Sequence, residues 1–212
     1  MNNLVIADTD GFAVQENTSA SMIVGKMVKF TDGHFICDKT QIMPADTTLV
    51  AVGVITVWVR WLNNKPAEHR ITQPGQSHPY RDEFPDQDES LWPPGLNDEP
   101  SDPWRDTRYL RLMDPKTGAD FTFVTDSYGG RRAVGDLKSQ IANVRSVQPA
   151  ALPIVQLTST MMPTKFGKKP RPDFKIVDWR GMREATPPRD AGKPAGKVAA
   201  QANDDMDDEI PF

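Results

Sequence analysis

Most of the apolar residues fall in short runs or in alternation with polar ones, the pattern of strands, and only one stretch has helical spacing. Residues 22–30 read as a strand, Thr31-Asp32-Gly33 supplies turn chemistry, and residues 34–38 read as the return strand. Thr48–Leu62 carries the strongest β signal, dense in Val, Ile, Thr and Trp with no charge before Arg60. Asn63-Asn64-Lys65-Pro66 is expected to break it. Residues 107–113 and 119–126 are expected to pair as a hairpin across Asp114-Pro115-Lys116-Thr117-Gly118. After Gly129-Gly130, the spacing of Val134, Leu137, Ile141 and Val144 predicts a helix over 131–144. Residues 154–162 and 174–179 complete the strands.

Between these elements the chain loses its period. Residues 71–106 are rich in Pro, Asp and Glu and read as a long acidic insertion, pinned in part by Phe84, Leu91, Trp92, Leu96 and Trp104. Residues 1–21 are expected to form a flexible arm and residues 181–203 a disordered linker. The body, 22–180, then reads as five strands with one helix between the third and fourth. That order predicts a mainly β fold: an OB-fold-like five-stranded Greek-key barrel with an extra N-terminal β pair.

Composition narrows the class. No apolar run is long enough for a bilayer, and residues 1–4 do not begin a secretory signal, so no membrane partner is expected. Cys37 stands alone, which excludes an intrachain disulfide and fits a reducing, cytoplasmic location. The formal net charge of −4 conceals a division. Five acids lie between Asp204 and Glu209, and nine acids face two arginines across residues 81–106, so the rest of the chain is basic. A basic body suits a polyanion.

Unpaired nucleic acid needs cations along its phosphates and flat side chains under its bases. Strand alternation places an aromatic beside a cation three times: Trp58 with Arg60, Tyr109 with Arg111, and Trp179 with Lys175. Phe121 and Phe123 share a face, and Phe123 is the candidate taken from that pair. Lys165, Lys168, Lys169 and Arg171 surround Phe166 in the connection between the last two strands, where an OB-fold commonly lines its groove. Gly129-Gly130-Arg131-Arg132 adds charge at the expected helix start, though an exposed helix start that binds nothing is the simpler reading. Enzyme signatures are missing: there is no phosphate loop, nucleophile elbow or two-His metal helix. His34 and Cys37 have no second pair to complete a zinc site. No cofactor, metal or catalytic residue is expected.

The final segment, Asp204-Asp205-Met206-Asp207-Asp208-Glu209-Ile210-Pro211-Phe212, joins a solvated acidic run to a small apolar anchor. It resembles the acidic tip of bacterial single-stranded DNA-binding proteins, which typically reads Asp-Asp-Asp-Ile-Pro-Phe. The resemblance is specific over about seven residues. It implies a body that coats single-stranded DNA without strong sequence preference and a tip, residues 204–212, that recruits replication, recombination and repair proteins. Asp207, Asp208, Glu209, Ile210, Pro211 and Phe212 would be the docking residues, with Glu209 in place of the usual third Asp. The implied setting is the nucleoid of a bacterial cell or a phage-infected host. A homo-oligomer is compatible with this reading, although the body does not carry the family's usual sequence. Two other readings stand beside it: a phage interaction protein that recruits host replication enzymes without binding DNA, and a metal-dependent nuclease using the acidic insertion.

Overall fold

The computed structural model describes residues 22–95, 98–165 and 167–181. The expected arm at 1–21, the linker from residue 182, the tip at 204–212, Leu96 and Phe166 lie outside the described residues.

Among the described residues, nine strands and one α-helix form the body: β1 Lys26–Thr31, β2 His34–Cys37, β3 Gln41–Ile42, β4 Thr48–Leu62, β5 Lys65–Ile71, β6 Trp104–Met113, β7 Asp120–Thr125, α1 Tyr128–Arg145, β8 Leu152–Thr164 and β9 Gly167–Arg180. The strands make one open, mixed sheet in the order β3-β2-β1-β7-β6-β4-β8-β9, with β5 pairing off β4. All pairings are antiparallel except β1 with β7. Long β4 is the hub, because it pairs with β6 along most of its length, with β8 at its start and with β5 at its end.

The sheet curls around one core. Val28, Phe35, Leu49, Leu110, Leu112, Phe123, Val155, Leu157 and Phe174 meet there, and α1 contributes Ala133, Val134 and Leu137. Phe35 on β2 lies 5.8 Å from Phe174 on β9, so distant parts of the strand path touch through aromatic rings. A smaller cluster, Val57, Val59 and Tyr109, fills the opposite face of β4 and β6 under Met22 and Ile23. No described helix is long and apolar enough to cross a membrane.

The structure departs from the expected elements where local signals compete with packing. Asn63 and Asn64 do not end the β structure. Both adopt positive φ, 49° and 60°, and turn the chain back into β5. Pro66 is tolerated because β5 is an edge strand, which needs fewer amide donors. The irregular insertion is therefore shorter than expected, residues 72–103, with short 3-10 turns at Arg81–Glu83 and Glu89–Leu91. Helix α1 starts earlier than its apolar period suggests. Ser127 caps it by accepting from the Gly130 amide at 3.1 Å. Gly130 is packed so tightly that a Cβ there would lie 1.9 Å from Thr125 Oγ1. The last two strands are joined by no long connection. They continue to Thr164 and from Gly167 as a two-stranded ribbon whose far end carries the lysines.

Candidate nucleic-acid interface

The side chains with candidate chemistry separate into two sets, those the body uses internally and those it leaves at the surface.

The first set lies under the insertion. Trp58, Arg60, Arg70, Trp104 and Asp106 share one face of β5-β4-β6 by register. The insertion brings His78 and Phe84 onto that face. Trp58 stacks on His78 with ring centres 5.6 Å apart and planes 7° from parallel. Its indole N–H donates to the Pro79 carbonyl at 3.0 Å, and Phe84 packs against it at 5.4 Å. Arg60 pairs with Asp86 at 2.9 Å, and Arg70 lies 4.8 Å over the Phe84 ring. Arg81 pairs with Asp102 at 2.6 Å, and Trp92 donates to the Asp86 carbonyl at 2.7 Å. The insertion is thus a folded acidic cap over the end of the sheet. Of its expected anchors, Phe84, Trp92 and Trp104 are buried or half-buried, whereas Leu91 is 80 % exposed.

Asp106 organises the base of this cap. It accepts from Arg108, from Arg131 at the start of α1 (2.6 Å) and from His78 Nε2 (2.9 Å). Burial alone would raise this carboxyl, but the hydrogen bonds from Arg108 and Arg131 outweigh it and hold the group below the usual carboxylate range. Burial pushes the His78 imidazole below its ordinary value despite the pull of Asp106. The two partners' shifts conflict only in appearance. A neutral imidazole can still donate from Nε2 to Asp106 while Nδ1 accepts from the Thr72 hydroxyl at 2.7 Å.

These contacts correct several sequence expectations. The Trp58 and Arg60 pair is not an open platform, since an imidazole and a carboxylate of the same chain already occupy it. Tyr109 is 9 % exposed within the smaller cluster, where burial raises its phenol, whereas its neighbour Arg111 stays at the surface. Phe123 is fully buried, 5.7 Å from Phe35 and 5.3 Å from Phe174, and no base could reach it without opening the core. Lys175 and Trp179 do not share a face. A register shift between Ile154 and Val155 sets Lys175 opposite Gln156 and Trp179 opposite Pro153, and those two positions of β8 point to opposite sides. Lys175 is exposed and Trp179 half-buried.

The second set is the ribbon. Lys165, Lys168 and Lys169 are exposed at its far end, and Met161 is 56 % exposed beside them. Arg171 is different: its side chain is only 15 % exposed and pairs with Asp136 of α1 at 3.1 Å, tying ribbon to helix. At the helix start Arg131 is spent on Asp106, while Arg132 is exposed. Sequence reasoning missed Tyr128, the first residue of α1, which is 64 % exposed. The capping Ser127 just before it was the available signal. No family model, curated protein or solved structure matches this chain. Among the described residues no three His, Cys, Asp or Glu side chains are grouped as a metal site requires.

Proposed function

We propose that this protein binds single-stranded DNA through its basic body and recruits replication, recombination or repair proteins through its acidic Ile-Pro-Phe tip. The observation that carries this reading is the occurrence, in one chain, of that tip, Asp207 to Phe212, and of a body with Lys165, Lys168 and Lys169 exposed at the end of the β8–β9 ribbon. Lys165 and Lys168 make no ion pair among the described residues, so they are available to phosphates. The pairings β4–β6–β7 and β4–β8–β9, with α1 between β7 and β8, support an OB-type organisation of the five central strands. In that organisation β1 to β3 extend the sheet beyond β7, and the acidic cap closes one end.

Binding then rests on phosphate contacts by the ribbon and on bases stacked elsewhere than on Trp58, Tyr109 or Phe123. The tip, tethered by the segment before it, meets partners at raised local concentration while the body stays on DNA. Partners with an apolar slot ringed by Lys or Arg would take Phe212 and the neighbouring acids together. The test is a titration with oligo-dT and with duplex of equal length at two salt concentrations. The proposal requires tighter binding to the single strand and a loss of affinity with salt. Absence of oligo-dT binding at low salt would leave recruitment without DNA contact as the better reading.

A further inference from the structure

We infer that Tyr128 is a base-stacking residue, set in a corner between the start of α1 and the β8–β9 ribbon that takes one unpaired nucleotide. The inference rests on the proposed single-strand binding and names where in the body a base is held.

The corner is defined by contacts. Tyr128, Arg132 and Asp136 are spaced by four residues and lie along one face of α1. Asp136 fixes that face against β9 through Arg171 at 3.1 Å. Nearer the helix start, a Cβ built on Gly129 would stand 3.0 Å from Arg171 Cβ and 3.6 Å from the Met162 methyl, so the helix start lies directly against the ribbon. Met162 pairs with Lys169, and paired residues project to the same side of a ribbon. Lys169 therefore lies on the side of the ribbon that carries Met162, which meets α1 at Gly129.

The chemistry of the corner suits a nucleotide. Tyr128 exposes 64 % of its surface, so its ring is open to a ligand. Arg132 is exposed and makes no ion pair among the described residues. The one acid on this helix face, Asp136, is already paired with Arg171. An exposed ring beside an exposed arginine is complementary to a polyanion with flat bases, and an acidic peptide would leave the ring without a stacking partner. The helix terminus is not itself the site, because Ser127 already accepts from the Gly130 amide.

The experiment compares the full chain with Tyr128→Ala, Tyr128→Phe and Arg132→Ala, titrated against oligo-dT and an abasic oligonucleotide of equal length. Thermal melting confirms that each variant is folded. Tyr128→Ala is expected to weaken oligo-dT binding about tenfold while leaving abasic binding unchanged, and Tyr128→Phe to stay near wild type. Arg132→Ala is expected to lower the salt slope by about 0.7, one phosphate contact. Equal loss on both oligonucleotides, or oligo-dT binding by Tyr128→Ala within twofold of wild type, overturns the inference and leaves single-strand binding standing. Failure of the wild type to bind oligo-dT removes the parent reading and this one with it.

Discussion

Replacing Asp106 with Asn tests whether one carboxylate holds the cap, the sheet and the helix start together. The Asp106 side chain is 10 % exposed and serves Arg108, Arg131 and His78, which belong to β6, α1 and the insertion. Removing one partner of a buried ion pair costs about 3–5 kcal/mol, because the remaining charge stays buried without compensation. Two features reduce that figure. Asn keeps one acceptor oxygen, and Arg131 is 33 % exposed and can rehydrate, whereas Arg108 is 15 % exposed and cannot. A loss of about 2–3 kcal/mol follows. At about 2–4 °C per kcal/mol for a domain of this size, melting should fall by about 4–12 °C. Circular dichroism melting of the full chain at neutral pH reads this directly. Tryptophan fluorescence should change as well, since His78 is stacked on Trp58. A midpoint within about 2 °C of wild type would refute the buried network as described.

Three further outcomes follow from the same structure. Changing Lys165 and Lys168 together to Ala should lower the salt slope of oligo-dT binding by about 1.4, and leave melting unchanged because both side chains are exposed. The His78 imidazole is depressed by burial, so its contribution to cap stability is present above about pH 6.5 and lost as pH falls through the folded value. Asp106, held low, keeps its charge across that range. Hydrogen exchange in residues 72–103, corrected for the intrinsic pH effect, should therefore be faster at pH 5.5 than at pH 7.5, and equal protection would contradict the assignment. Deleting residues 203–212 removes five acids and should tighten DNA binding at low salt, with no change counting against competition between tip and phosphate.

Much of the fold was legible because period and burial agree. Thr48–Leu62 forms β4 with the bounds its composition predicts, since a run dense in Val, Ile, Thr and Trp suits the hub of a sheet and Gly53 is absorbed by a register shift against β6. Strand β5 was not legible: Pro66 and four charged or His residues read as loop, and only its edge position makes them acceptable. The start of α1 was hidden by Gly129 and Gly130, which disfavour helix; Gly130 is required by Thr125 packed against it, and Gly129 lies close against Arg171.

The candidate site was less legible, for a definite reason. Alternation tells which strand residues share a face but not what covers that face. Trp58 and Arg60 do share one, as expected, and the cap that fills it comes from residues whose composition suggested solvent. The face of Trp179 was misread because a register shift in the β8–β9 pairing carries no sequence marker. The basic cluster was legible as composition, whereas the diversion of Arg171 to Asp136 depends on a helix many residues earlier in the chain.

The most direct test of the account is equilibrium binding of the full chain to fluorescent oligo-dT, with duplex competitor, at low and moderate salt. The account predicts saturable binding that favours the single strand and weakens linearly in log affinity against log salt. Equal affinity for duplex, or no binding in dilute buffer, would contradict it.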